Sequence, residues 1–197
     1  MPETRPPIDF AGQSLSALAA AIEARGAMPP VDRWHPTHCG DSEMRIARDG
    51  RWYHQGQPIT RPAMVRLFST VLRREPDGSH VLVTPVEKLA IEVEGTAFRA
   101  VEMTMAGEGD QRQVAFRLDS GDAVIAGPEH PLIVVESGGG PSPRLAVRHG
   151  LEAEIARPLY YELAEIALAE GPNNPKDWPP GIWSDGAFFP LAPGNAQ

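Results

Sequence analysis

Two arginines occupy matching positions in this chain, and each stands before a proline at the start of a predicted helix. Residues 59–62 and 155–158 share the frame I-x-R-P, and leucines follow each isoleucine by eight and by thirteen residues. Free backbone N–H groups at a helix start attract anions, and a nearby guanidinium adds to that attraction. Arg61 and Arg157 are therefore candidate contacts for a phosphate or carboxylate ligand. The alternative is a structural ion pair with a carboxylate such as that of Glu87 or Glu162.

The segment 84–88, T-P-V-E-K, lies between two predicted strands and adds further polar candidates. Thr84, Glu87 and Lys88 could present a hydroxyl, a carboxylate and an ammonium group to the same ligand. The alternative is an ordinary connection whose charges are solvated. Trp52 and Trp183 are candidates for stacking on a ligand ring, although tryptophans more often anchor cores and interfaces.

Other patterns give weaker indications of chemistry. The residues His35, His38 and Cys39 could begin a zinc site or serve a metal-dependent hydrolase, but no second pair of ligands follows at a suitable spacing. The glycine-rich stretch 137–142 lacks the Lys-Ser/Thr of a phosphate-binding P-loop. No nucleophile elbow or complete catalytic triad is present. The sequence thus predicts no catalytic residue, no metal and no cofactor.

Composition excludes several function classes. The chain has 197 residues, a formal net charge of -8 and no basic cluster, which disfavours nucleic acid as a partner. A single cysteine, Cys39, forbids an internal disulfide and favours a cytoplasmic location. No apolar run approaches the roughly 20 residues that span a bilayer, and nothing resembles a signal peptide.

Periodicity predicts an α+β fold with an internal duplication of a mainly antiparallel sheet-plus-helix unit. Residues 1–95 would hold an N-terminal helix near 15–25 and the first unit, whose helix runs from Pro62 to Leu72 with Thr60 as its cap. Residues 96–197 would hold the second unit, with a helix over 158–170. We expect the apolar strand 132–135 to be central, residues 137–142 to be a loop, and the aromatic tail to lie against the body.

Four motifs resemble a bacterial family known as domain of unknown function 1285. They are D-G-x-W-x-x-x-G-x-P-I-x-R (49–61), L-V-T-P-V-E-K (82–88), V-R-x-G-L-E-A (147–153) and W-S-D-G-x-F-F-x-L (183–191). The resemblance implies a duplicated α+β core whose C-terminal half is similar to a pleckstrin-homology barrel. It also implies a site for a nucleotide-like ligand between the halves and a role in signal transduction. It supplies no catalytic residues.

These observations predict a non-enzymatic protein that binds a small anionic ligand between two halves. Arg61 and Arg157 would neutralise the ligand, with Thr84, Glu87, Lys88, Trp52 and Trp183 around it. The alternative function is a protein–protein interaction module that uses the aromatic tail or a sheet edge.

Overall fold

The protein is mainly β, as a computed structural model of residues 28–170 and 180–192 shows. Strands account for 47% of these residues, and the described part of the chain contains two α-helices. The predicted α+β class was therefore wrong. Tight hairpins connect most of the strands, so little of the chain is left for helices. The predicted helix near 15–25 lies outside the described residues.

The first half, residues 28–96, forms a six-stranded sheet in the order β3-β2-β1-β6-β5-β4. Two antiparallel three-stranded meanders make it up, and helix α1 lies between them in sequence. A short 3-10 helix (Val31–Arg33) precedes the sheet. The elements are β1 (His38–Ile46), β2 (Trp52–His54), β3 (Gln57–Pro58), α1 (Pro62–Thr70), β4 (Leu72–Arg74), β5 (His80–Val83) and β6 (Glu87–Val93).

The second half, residues 97–192, repeats this design in the order β10-β11-β12-β7-β8-β9. Its two meanders follow each other directly, and its helix comes after them. A 3-10 turn (Gly109–Gln111) lies between β7 and β8. The elements are β7 (Phe98–Ala106), β8 (Gln113–Leu118), β9 (Ala123–Ile125), β10 (Leu132–Ser137), β11 (Gly140–Arg148), β12 (Leu151–Ile155), α2 (Arg157–Glu170), β13 (Gly181–Ser184) and β14 (Ala187–Pro190).

The duplication is one of sheet topology. In each half, the first and last strands of the sheet run parallel and join the two meanders at the centre, β1 with β6 and β7 with β12. The I-x-R-P frames occupy different places in the two copies. The first follows the two-residue edge strand β3, whereas the second follows the central strand β12. The repeated arginines are therefore not related by the repeat of the sheets.

The prediction that the C-terminal half resembles a pleckstrin-homology-like barrel is also corrected. Closing a barrel requires the two outermost strands of a sheet to pair with each other. In the described residues, β9 pairs with β8 and β10 pairs with β11, and the fold contains a half-barrel instead. Strand β10, predicted as central from its apolar run, is the edge strand of its sheet. One side of the strand is buried, at Leu132 and Val134, whereas Ile133 on the other side is 43% exposed.

Local differences from the prediction have simple causes. Helix α1 ends at Thr70, and Leu72 enters β4, where its side chain is fully buried in the core. Arg61, not Thr60, is the residue that precedes α1, and its side chain makes no capping hydrogen bond. The predicted loop over 137–142 is a tight turn, because Ser137 pairs with Gly140 and β11 begins there.

One hydrophobic core serves both halves. Buried side chains from the two sheets, α2 and the β13–β14 hairpin form a single cluster. The predicted docking of the aromatic tail is confirmed for residues 180–192. There the hairpin contacts α2, β8 and β10, and the Tyr160 hydroxyl donates a 2.6 Å hydrogen bond to the Leu191 carbonyl.

Candidate functional site

A cavity of about 430 Å³ opens where the two halves meet. Its walls come from the β1–β2 turn, β2, β3 and the first turns of α1 in the first half, and from the β8–β9 turn in the second. Apolar and charged groups share these walls. The lining residues are Gly50, Arg51, Trp52, Pro58, Ile59, Thr60, Pro62, Val65, Arg66 and Asp119.

Helix α1 turns one of its faces toward this cavity. Pro62, Val65 and Arg66 lie three and four residues apart and therefore share a side of the helix. The Nε of Arg66 is buried and has no hydrogen-bond partner in the described residues. Buried polar groups normally have partners, because an unpaired one costs about 1–3 kcal/mol. The Nε atoms of Arg99, Arg144 and Arg148 are in the same situation, so what distinguishes Arg66 is its place in the cavity lining.

Asp119 lines the cavity from the turn after β8. Its Oδ1 accepts a hydrogen bond from the backbone N–H of Arg99 at 3.1 Å. Its Oδ2 lies against Gly50, where a Cβ would come within 2.6 Å of it. Desolvation of its carboxyl raises the pKa of Asp119 to about 6, against the backbone N–H groups of Arg99 and Ser120, which favour the ionised form. The residue as a whole is exposed, so solvent moderates this shift.

Two arginines of the second half tie this region to the first half. Arg99 donates from Nη1 to the Asp49 carbonyl at 3.1 Å. Arg148 is partly buried, donates from Nη2 to the Ser69 carbonyl near the end of α1 at 3.0 Å, and pairs with Asp122. A cation at a helix C-terminus interacts favourably with its unpaired carbonyls. Arg148 therefore fixes α1, and with α1 the position of Arg66.

The predicted arginines lie elsewhere. Arg61 and Arg157 are both exposed, and neither lines the cavity. Neither forms an ion pair with a carboxylate in residues 28–170 and 180–192, so the structural alternative with Glu87 or Glu162 gains no support there. Arg61 is flanked by two cavity residues, Thr60 and Pro62, whereas Arg157 follows β12 on the second sheet. Their binding role stays a prediction.

The T-P-V-E-K segment lies at the far end of the first sheet. The Thr84 hydroxyl bonds to Glu87 within the β5–β6 turn, and Lys88 pairs with Glu75 at 3.4 Å. The cavity lies beside the other end of β6, about 20 Å away for a seven-residue strand. The structure therefore does not bring Thr84, Glu87 and Lys88 together with Trp52.

The two tryptophans have different surroundings. Trp52 lines the cavity but is 4% exposed, and its ring stacks on Phe68 with 6.3 Å between centroids. Trp183 is on the outward side of β13, against Phe188, away from the cavity. Trp52 is thus mainly a core anchor with one edge at the site.

The described residues contain no group of three side chains suited to a metal ion, His35, His38 and Cys39 included. No helix of residues 28–170 and 180–192 is long and apolar enough to cross a membrane.

Sequence reasoning missed Arg66 and Asp119, which carry the chemistry of the cavity. No local pattern marks either residue, because the site arises where the β1–β2 turn meets the β8–β9 turn. Two of the motifs do contain residues of this junction. Gly50 stands in D-G-x-W, and Arg148 stands in V-R-x-G.

Comparisons with known proteins agree with the resemblance drawn from the motifs. Residues 29–96 match "Domain of unknown function (DUF1285), N-terminal domain", and residues 97–191 match "Protein of unknown function (DUF1285), C-terminal domain". No curated protein matches the sequence.

Two solved structures are similar. A DUF1285 family protein from Silicibacter pomeroyi DSS-3 is 43% identical over 92% of this chain and 96% of its own, with a TM-score of 0.75. A second, from Shewanella baltica OS155, is 22% identical over 62% of this chain and 90% of its own, with a TM-score of 0.49. The two family matches together span most of the sequence, and the chain belongs to the DUF1285 family.

Proposed function

We propose that the protein binds a small anionic molecule in the cavity between its halves and carries out no reaction on it. The observation that carries this proposal is the presence of two arginines, Arg51 and Arg66, in the lining of the cavity. A guanidinium presents a planar set of donors that matches a carboxylate or phosphate. An anion in the cavity would interact favourably with the charges of both guanidinium groups.

The dimensions and lining support a small ligand. Binding cavities for small molecules commonly have volumes of about 300–1,000 Å³ and combine apolar walls with a few polar groups. Here Ile59, Val65 and the edge of Trp52 supply apolar surface, and Arg51 adds a second positive charge near Arg66. The stacking of Trp52 on Phe68 leaves little of its face for a base. We therefore favour a compact phosphate or carboxylate compound over a ligand held by ring stacking. The signalling role implied by the family resemblance stays a prediction.

Thermal-shift measurements with a panel of anions test this proposal. The panel would contain sulfate, phosphate, nucleotides and small dicarboxylates, each at constant ionic strength. We expect at least one to raise the Tm of the wild-type protein. Arg66→Gln keeps the length and polarity of the side chain but removes its charge, so the shift should fall severalfold. Arg33→Gln, an exposed arginine outside the cavity, is the matched control and should retain the full shift.

The same assay separates this site from the one that the sequence predicted. If Arg61→Gln and Arg157→Gln abolish the shift and Arg66→Gln does not, the ligand lies at the helix starts and the cavity proposal fails. If no anion in the panel shifts the wild-type Tm, anion binding itself is contradicted.

A protein–protein interaction function has one observation in its favour. Tyr161 and Leu168 lie seven residues apart on α2, so they share a face of the helix, and they are 59% and 67% exposed. Exposed apolar side chains of this size mark contact surfaces when they are contiguous. A partner whose affinity falls on Leu168→Glu but not on Arg66→Gln would support this function over ligand binding.

A further inference from the structure

Opposite charges line the cavity without pairing with each other. Arg51 and Arg66 come from the first half and Asp119 from the second, yet neither arginine forms an ion pair with Asp119 in the described residues. A positive and a negative group that share one cavity in this way leave room for a ligand that meets both. A ligand with an anionic group alone would be attracted by the arginines and repelled by the carboxylate.

The Asp119 carboxylate is held by backbone groups, and no side-chain cation pairs with it in the part of the chain that the structure describes. Its hydrogen bonds come from backbone N–H groups, among them that of Arg99 at 3.1 Å. The arginines beside it have other partners. Arg99 donates to the Asp49 carbonyl at 3.1 Å, and the Arg51 Nε pairs with the Asp49 carboxylate at 3.4 Å. Asp119 is also exposed, so its carboxylate is available to a cationic group of a ligand.

We propose that the ligand is a small zwitterion of the amino-acid type, with an anionic group for Arg51 and Arg66 and an ammonium group for Asp119. This inference rests on the proposed anion site and names the class of molecule that occupies it. An ammonium group has three donors and no acceptor, so an ionised carboxylate is a favourable partner for it. The apolar part of the ligand would contact Ile59 and Val65, which line the same cavity.

Matched pairs of compounds test the ammonium group by itself. L-Leucine and 4-methylpentanoate differ only in the amino group, as do phosphoethanolamine and ethyl phosphate. Isothermal titration calorimetry at constant ionic strength would give the affinities at about pH 7.5, where the Asp119 carboxyl, with a pKa of about 6, is mainly ionised. We expect the wild-type protein to bind the amino compound of at least one pair roughly fivefold more tightly than its deaminated counterpart.

Three variants locate the preference for the ammonium group. Asp119→Asn keeps the size of the side chain and an oxygen for the Arg99 N–H but loses the charge, so the preference should fall to less than about twofold. Arg66→Gln should weaken the binding of both members of a pair by a similar factor and keep the preference. Asp110→Asn, which changes an exposed aspartate outside the cavity, is the matched control and should behave like the wild type.

The outcomes distinguish this inference from the proposed function. Wild-type protein that binds the deaminated compounds as tightly as the amino compounds overturns the inference and leaves the anion site standing. A preference that survives in Asp119→Asn also overturns it, and so does binding of sulfate without binding of any compound of the two pairs. Failure of all these compounds and of the anion panel to bind contradicts the anion site, and the inference falls with it. The wild-type comparison needs no variant, so it remains decisive if Asp119→Asn folds poorly.

Discussion

The Asp119 carboxylate lies directly on the backbone of Gly50, 69 residues earlier in the chain, and a Cβ at Gly50 would come within 2.6 Å of Oδ2. The two residues belong to turns of different halves. Asp119 follows β8 in the second sheet, and Gly50 follows β1 in the first. Arg99 strengthens the same contact, since it bonds to Asp119 through its backbone and to the Asp49 carbonyl through its side chain. The junction of the halves therefore depends on a residue without a side chain at position 50.

Gly50→Ala is expected to destabilise the protein by about 3 kcal/mol. The φ of Gly50 is 86°, so an added Cβ costs about 1 kcal/mol in backbone strain, and its clash with Asp119 adds to that. Gly56→Ala is the matched control, because Gly56 has a φ of 76° but open space around it. It should cost about 1 kcal/mol. Urea denaturation would give the free energy of unfolding of both variants. An equal loss in Gly50→Ala and Gly56→Ala would show that the Asp119 contact is unimportant.

Arg148→Met should lower the free energy of unfolding by about 3 kcal/mol. The variant removes a partly buried cation that bonds to the Ser69 carbonyl and to Asp122. Its methionine can fill the space but cannot donate a hydrogen bond. Arg144→Met, on the same strand, breaks a partly exposed pair with Glu152 and should cost less than about 1 kcal/mol. A similar loss in the two variants would contradict the role of Arg148 in holding α1.

Asp119 should make the protein less stable as the pH rises from about 4 to 6. The folded protein holds the Asp119 proton up to a pH of about 6, whereas the unfolded chain releases it near 4. The folded state thus binds more protons in this window, so stability falls with rising pH, by an amount that the exposure of Asp119 to solvent reduces. The check is the difference between wild type and Asp119→Asn in chemical denaturation at pH 4 and pH 7. The free energy of unfolding of the variant should rise relative to that of the wild type between pH 4 and pH 7. An unchanged difference would contradict the raised pKa of Asp119.

Ser184→Ala should loosen the β13–β14 hairpin from the second half. The buried Ser184 Oγ accepts a hydrogen bond from the Val114 N–H at 2.9 Å and donates one to the Ala126 carbonyl at 2.6 Å. Alanine leaves both backbone groups unpaired, which should cost about 3 kcal/mol. Ser137→Ala removes an exposed hydrogen bond within a turn and serves as the control. Hydrogen exchange at Ile182 and Phe189 should accelerate in the first variant and stay unchanged in the second.

Local features of this fold could be predicted from the sequence with fair accuracy. The strands β2 and β8 and the two helices follow from periodicity, and the Asp49-Gly50 and Asp77-Gly78 turns follow from their residue types. The positions of the strands within the sheets could not be predicted in this way. The apolar run of β10 looks the same in an edge strand packed on one side as in a central strand.

The candidate site was predictable only in part. The sequence predicted a ligand site between the halves with Trp52 beside it; Trp52 does line a cavity there, and the ligand site itself stays a prediction. Arg66 and Asp119 could not be predicted as site residues, because no local sequence pattern marks either of them. They share one cavity only because the two halves pack together, through contacts such as those of Arg99 with the Asp49 carbonyl and of Arg148 with the Ser69 carbonyl.

The parallel pairing at the centre of each sheet has a consequence for how the chain is made. In each half, the first strand can form its parallel pairing only after the last strand has been synthesised: β1 needs β6, and β7 needs β12. When only residues up to 80 have emerged, the first meander is present, the second is incomplete, and the sheet cannot yet form. Contacts between residues so far apart in sequence also slow folding. Neither half should therefore become protease-resistant before its last strand, which ends at Val93 in the first half and at Ile155 in the second, has left the ribosome.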